Sequence, residues 1–280
     1  MTQVTVDVRK PPLPERQIAA TPGGTISYRE AGQGPALFLL HGMNGNSRSW
    51  TQQLAAFSDS YRVIAWDAPG YGQSDPVLPE ADAYAAQAAH LLDHLNVEKA
   101  HVIGHSMGGV IAERFCARHL DRAASLVLSG THWGNAVPEG TPLAAKYARR
   151  LRELEEMSAE EYGKVRAGKM VPSSPSPSPD VLDELAGVAS EMKREGLFNG
   201  GQMVEKTDNR PFLSTLRLPV LILTGSRDPV VTPQRSEAMM EYLPSARTVS
   251  LPDVGHAAYL EAPEAFNRAV REFLATVERS

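Results

Sequence analysis

The sequence predicts an α/β fold, a mostly parallel sheet with helices on both faces. Three observations predict it. Short apolar runs of strand type alternate with helical segments through most of the chain. At 280 residues, 42% hydrophobic and 22% charged, the chain is long enough to bury the core of one large domain of this kind. Gly104-His105-Ser106-Met107-Gly108 spells G-x-S-x-G where a strand meets a helix, the pattern of a nucleophile elbow.

The elements follow in order. Gln17 to Ala20 and Thr25 to Tyr28 flank Thr21-Pro22-Gly23-Gly24 and read as a hairpin. Ala36 to Leu40 is a buried strand ending in His41-Gly42, and Tyr61 to Trp66 is another, ending in Asp67-Ala68-Pro69-Gly70. Ala83 to Leu95 reads as a helix, His101 to Ile103 as the strand into the elbow, and Gly109 to Arg118 as the helix out of it. Ala124 to Ser129 is the next strand. Pro219 to Thr224 and Arg247 to Leu251 are later strands, and Pro233 to Leu243 and Pro263 to Val277 later helices.

The alternation breaks between Thr131 and Leu216. Leu143, Tyr147, Leu151 and Leu154 share one helical face, and Val181, Leu185, Val188 and Met192 another. Ser158 with Glu161 fits a capping box, and Ser178-Pro179-Asp180 a helix start. The tract Pro172 to Pro179 is too rich in proline and serine for a core. This segment reads as a helical insertion over the C-terminal edge of the sheet, with the Pro/Ser tract as a hinge or an exposed loop.

Composition excludes several classes. The net charge is −5 without acidic or basic blocks, so there is no footprint for nucleic acid and no polybasic membrane patch. The single cysteine, Cys116, forms no internal disulfide and reads as a small buried hydrophobe. Met1 to Pro14 lacks the apolar core of a signal peptide, and no apolar run approaches the length of a membrane span. The expectation is a soluble, cytoplasmic monomer or homodimer acting on a small molecule.

A serine hydroxyl needs a base to take its proton, usually histidine. Of the eight histidines, His256 sits in a loop just after the strand ending at Leu251. In a parallel sheet that is the edge where Ser106 also lies. His41 ends a strand, and His105 points away from its neighbour on a tight turn. His90 and His94 are one helical turn apart but lack the further ligand that zinc requires. His101, His119 and His132 have no special context, although His132 could reach the rim. The carboxylate that orients the base is Asp228, in the loop Gly225-Ser226-Arg227-Asp228-Pro229 after another strand. Asp253 is too close along the chain to aim at His256, and Asp67 reads as the holder of its own turn. The strand ending at Ser129 is followed by Gly130-Thr131, with no acid. The oxyanion donors are the backbone N–H of Met107 and one from His41-Gly42-Met43-Asn44-Gly45, assigned to Met43.

With these residues in place, the chain resembles the α/β-hydrolase superfamily from about Thr25 to its end. The resemblance rests on His41-Gly42 with Trp50, Asp67-Ala68-Pro69-Gly70-Tyr71-Gly72-Gln73-Ser74, the elbow, Gly225-Ser226-Arg227-Asp228, and Gly255-His256, in that order. It is similar to the esterase, lactonase and carbon–carbon hydrolase group with a helical cap. The resemblance implies an α/β-hydrolase fold with eight strands, the second antiparallel, and a cap inserted after the sixth. Residues 1–131 and 217–280 would form the core and 132–216 the cap. Serine at 106 separates the chain from branches with an aspartate nucleophile. Ala257-Ala258-Tyr259 after His256 departs from the tryptophan of meta-cleavage-product hydrolases. The loop after His41 lacks the extra glycine pair of HGGG-type esterases.

The expected chemistry is acyl transfer to water on Ser106, with no metal or organic cofactor. Met43, Met107, Trp133 and Val230 flank the catalytic loops, and Asn44 lies in the oxyanion turn. They suggest a small apolar or aromatic ester or lactone. The near-balanced charge of the insertion gives no sign of a strongly charged substrate. A carbon–carbon hydrolase, a cofactor-independent oxygenase or perhydrolase, a non-hydrolytic small-molecule receptor and a scaffold with a dead site remain as alternatives.

Overall fold

The computed structural model describes residues 11–171 and 177–279. The first strands are β1 (Gln17–Thr21) and β2 (Gly24–Ala31), an antiparallel hairpin closed at Pro22-Gly23 with Thr21 opposite Gly24. Then come β3 (Ala36–Leu40), α1 (Thr51–Phe57), β4 (Arg62–Trp66), α2 (Ala81–His94), β5 (Ala100–His105), α3 (Met107–Arg118) and β6 (Ala123–Ser129). After an insertion follow β7 (Val220–Gly225), α9 (Pro233–Glu237), β8 (Arg247–Leu251), α10 (Ala258–Glu261) and α11 (Pro263–Val277). The insertion holds α4 (Ala145–Glu156), α5 (Ala159–Met170), α6 (Pro179–Ala189), α7 (Arg194–Lys206) and α8 (Arg210–Leu213).

The sheet has eight strands in the order β1-β2-β4-β3-β5-β6-β7-β8. β2 is antiparallel to both neighbours and every other pairing is parallel. Every residue of β3, β5 and β7 is buried, because helices cover both faces. The alternation of side chains divides the core. Phe38 and Leu40 enter a cluster with Trp66 and Phe115, while Leu37 and Leu39 enter another with Trp50 and Phe266. All the parallel strands end at one edge, so the loops that follow them converge.

The structure adjusts several boundaries. The strand into the elbow extends to His105, and the helix beyond it starts directly at Met107. The stretch Pro233 to Leu243 is α9 followed by a single 3-10 turn, Ala238–Glu241. Leu143 precedes α4 but packs in the same cluster as Tyr147, Leu151 and Leu154, whereas Met192 follows α6 and packs in the cluster of Phe38 and Leu40, apart from Val181 and Leu185. Residues 172–176 of the Pro/Ser tract lie outside the described residues; Pro179 fills the first turn of α6, where its missing N–H costs nothing. The periodicity does not reveal α7, because Gly196, Gly200 and Gly201 interrupt its pattern. Their reason is tertiary: a Cβ on Gly196 would lie 2.6 Å from the Gly70 carbonyl oxygen, and one on Gly200 2.8 Å from the Tyr71 hydroxyl. The helix is thereby seated directly on the loop after β4. Among the described residues, no helix is long and apolar enough to cross a membrane.

The segment leading into α8 is tied to α3 by a buried polar cluster. Asn209 Nδ2 donates to the Val110 carbonyl (2.9 Å) and to Glu113 Oε2 (2.8 Å), and Arg114 Nε donates to Asn209 Oδ1 (3.0 Å). Burial pushes the Glu113 carboxyl from 4.5 up to about 8, against the weaker pull of Asn209 and Arg114. Between these values the unfolded chain ionises Glu113 while the folded chain keeps the proton, so this group withdraws stability as pH rises. Glu113→Gln removes that penalty. Its unfolding free energy relative to wild type is expected to climb between about pH 4.5 and about pH 8; a difference constant with pH in urea titrations would refute this. The capping box on α5 is present, with Glu161 N donating to Ser158 Oγ (3.3 Å) and Ser158 N to Glu161 Oε2 (2.9 Å). Ser158→Ala is expected to cost about 1 kcal/mol in the same assay, and an unchanged midpoint would show that the cap contributes nothing.

Candidate active site

Ser106 lies between β5 and α3 with φ 52° and ψ −118°, a conformation that side chains other than glycine's rarely adopt. Its surroundings hold it there. A Cβ on Gly104 would meet the Gly108 carbonyl oxygen at 2.5 Å, and a Cβ on Gly108 would meet the Leu40 carbonyl oxygen at 2.2 Å. The two glycines thus let the helix start press against β5 and β3. Ser106 N donates to the Ser129 carbonyl (3.0 Å), and Thr131 Oγ1 donates to the Ser106 carbonyl (2.7 Å).

The loops after β7 and β8 bring Asp228 and His256 to the same edge. His256 Nδ1 donates to Asp228 Oδ2 at 2.8 Å, with both side chains buried. That bond leaves Nε2 as the free acceptor. The other carboxylate oxygen, Oδ1, accepts from the N–H groups of Val230 (2.7 Å) and Val231 (2.9 Å), so the carboxylate cannot swing. Among the described residues no hydrogen bond joins Ser106 Oγ to His256. The two instead face one cavity of about 40 Å3 together with Gly42, Met43 and Asn44. Such contacts commonly tighten only when substrate arrives.

Four features around this pair escape the sequence reading. Gly130, with φ +51°, sits where a side chain would be strained and would press on the pair, since a Cβ would lie 3.1 Å from Asp228 Oδ2 and 3.3 Å from His256 Nδ1. Glu261 grips the His256 loop from both sides, accepting from Gly255 N and Ala257 N at 2.9 Å each. His105 Nε2 donates to the His256 carbonyl (2.9 Å), and its ring lies 4.6 Å from that of His256. Burial and the adjacent His256 hold His105 well below the ordinary histidine value, so it serves as a neutral brace. The insertion contributes too, because His256 N donates to the Met170 carbonyl (2.9 Å) at the end of α5. A glycine after β6 is the one visible trace of these in the sequence.

The rejected candidates have other work. His41 Nδ1 donates to the Gly42 carbonyl (2.8 Å), and its Nε2 accepts from Ala68 N (2.9 Å), joining the loops after β3 and β4. Asp67 is fully buried and accepts from Ser47 N (2.6 Å) and Ser27 Oγ (2.5 Å). His132 is pushed down to about 3 by burial and Arg235. Asp253 is paired with Arg227 on the surface. Among the described residues no group of three or more His, Cys, Asp or Glu side chains could hold a metal ion.

A second, larger cavity of about 720 Å3 opens outside Ser106. Met43, Met107 and Val230 line it, as their sequence positions suggest, and Asn44 lines the smaller one. The Met107 N–H is the first of α3 and has no intrahelical partner, and the Met43 N–H is unpartnered among the described residues. Trp133, expected in the substrate wall, lines neither cavity. The chain turns at Gly134 against the Thr207 carbonyl and carries Trp133 onto Tyr242, with ring centroids 5.6 Å apart. The wall also departs from the apolar expectation, because Lys146, Arg150, Lys169, Arg227 and Arg235 all line the larger cavity. The charge balance of the insertion hides this, since its carboxylates Glu153 and Glu205 pair with these cations from behind and do not line the cavity.

Comparison with known proteins agrees with this architecture. The sequence is 28% identical over 250 residues to 3-oxoadipate enol-lactonase 2 of Acinetobacter baylyi, covering 88% of this chain and 91% of that protein. A thermophilic esterase from Thermogutta terrifontis superposes with a TM-score of 0.81 at 27% identity, over 94% of this chain and 99% of the esterase. The enol-lactonase from Burkholderia xenovorans LB400 gives the same TM-score at 25% identity, over 92% and 100% of the two chains. The Alpha/beta hydrolase family matches residues 37–269, and the chain belongs to that family.

Proposed function

We propose that the protein hydrolyses a carboxylic ester or lactone of a small molecule through an acyl-enzyme on Ser106. The observation that carries this reading is the Asp228–His256 hydrogen bond facing the same small cavity as a strained Ser106. His256 Nε2 takes the hydroxyl proton while Ser106 Oγ attacks the carbonyl carbon. Asp228 holds the ring in the required tautomer and stabilises the imidazolium. The N–H groups of Met43 and Met107 form the oxyanion hole, with the start of α3 adding its positive end. The tetrahedral intermediate collapses, the C–O bond to the leaving group breaks, and His256 gives that oxygen its proton. Water, deprotonated by His256, then attacks the acyl carbon, and Ser106 leaves with the proton returned. Residues 132–216 act as a cap over a core of 1–131 and 217–280, and the Met170 bond to His256 couples the two. The similarity to proteins named as esterases and enol-lactonases supports ester or lactone cleavage.

Short aryl esters and lactones test the reading when assayed with wild type and Ser106→Ala in parallel, with a fluorophosphonate adduct mapped by mass spectrometry. Turnover lost in Ser106→Ala, with the adduct on Ser106, is expected. Neither turnover nor labelling would overturn the reading in favour of a binding protein. Gly130→Ala is expected to lower kcat/KM at least ~10-fold by displacing the Asp228–His256 pair, a loss of about 1.4 kcal/mol in transition-state stabilisation. Unchanged kinetics would show that the pair tolerates the intrusion.

A further inference from the structure

Both cavities at Ser106 are walled by cations and, among the described residues, by no carboxylate. Arg150 and Lys169 face both cavities, and Arg166 faces the inner one. Arg166 is 1% exposed. Its Nη2 rests on Glu153 Oε2 at 2.5 Å and its guanidinium lies over the Tyr162 ring at 5.3 Å, while its Nε and Nη1 are buried without a hydrogen-bond acceptor among the described residues. Arg150 has no ion pair among the described residues. Its Nη1 lies 3.6 Å from the Met43 sulfur, a weak acceptor, and its Nε is buried and unmatched. Glu153 must also serve Lys169 and Arg149, each at 3.6 Å. One carboxylate behind the wall therefore answers several cations.

Guanidinium donors taken out of water without acceptors are costly. Here they sit beside the nucleophile instead of on a distant surface. The arrangement is completed by an anion entering the inner cavity. That cavity measures about 40 Å3, room for about three water-sized groups. A carboxylate on a short tether fits, and an aryl ring does not. The planar fork of arginine matches a carboxylate with paired hydrogen bonds. Around the outer cavity Lys146 and Arg227 are paired with Glu205 and Asp253 at 3.5 Å each, while Arg235, with no ion pair among the described residues, adds positive charge at the mouth of a chain whose net charge is −5. Such a field draws anions toward the site.

We infer that the ester or lactone cleaved here carries a carboxylate a few bonds from the scissile carbonyl, held by Arg150, Arg166 and Lys169. This rests on the hydrolase reading for the reaction, but the anion site itself rests on the wall. Phenyl hydrogen glutarate and its neutral counterpart, phenyl 4-carbamoylbutanoate, differ only in carboxylate against amide. Their affinities for Ser106→Ala are compared by calorimetry, and their kcat/KM values with wild type. The variants Arg150→Gln and Lys169→Gln, singly and together, spare the buried Arg166 and its bond to Glu153.

The acid is expected to bind Ser106→Ala at least ~10-fold more tightly than the amide. The same preference is expected in wild-type kcat/KM and is expected to shrink to within about threefold in the double variant. Equal binding of the two esters, or a preference undiminished in the double variant, would overturn the inference. Selective binding of the acid without turnover of either ester supports the anion site and removes the hydrolase reading. Turnover of both without discrimination does the reverse.

Discussion

The site depends on one close approach, the first turn of α3 pressed against β3 and β5 where Gly104 and Gly108 leave no side chain between them. Ser106 pays for that approach with a backbone strain of about 1–3 kcal/mol. Fully buried strands on one side and the buried face of α3 on the other hold the strain in place. The consequences are chemical. Ser106 lines both cavities, the N–H of Met107 is the first of α3, and the helix start lends the space beyond it positive potential. A methyl group on either glycine would push the helix away and change all three together.

The partners of Ser106 need no such strain because the parallel sheet delivers them. Loops after β3, β6, β7 and β8 leave the same edge, so residues far apart in the chain meet there. Their precision comes from bracing. Asp228 is fixed by Val230 and Val231 N–H groups, and the His256 loop by Glu261, by His105 and by the carbonyl of Met170. Three of these braces act on backbone atoms, so the histidine ring inherits its position from the loop. The Met170 contact makes the insertion part of that support.

Much of this was legible in the sequence for local reasons. A serine between two glycines at a strand–helix junction, an Asp after one apolar strand and a Gly-His after the next each carry a signal within a few residues. The braces carry none: Glu261 reads as an ordinary acid in a short helix, and His105 as a bystander. Trp133 lies away from both cavities because its neighbourhood in sequence is not its neighbourhood in space; Gly134 turns the chain and sends the ring to Tyr242. α7 was illegible because its glycines serve packing against Tyr71 and Tyr147 and spoil the helical pattern. The cationic wall was hidden by averaging. Arg150 lies on α4, Arg166 and Lys169 on α5, Arg227 in the loop after β7 and Arg235 on α9, and only the fold brings them to common cavities that no carboxylate lines among the described residues.

The electrostatics and the nucleophile meet in one proposal, that a carbonyl compound is presented to a strained serine in a cavity lined by cations. Rapid acid quench of wild type mixed with an aryl ester, followed by peptide mapping by mass spectrometry, tests it most directly. The account predicts a transient mass increment equal to the acyl group on the peptide containing Ser106, absent from Ser106→Ala. An ester consumed with no acyl adduct at any time point, or an adduct on another residue, would contradict it.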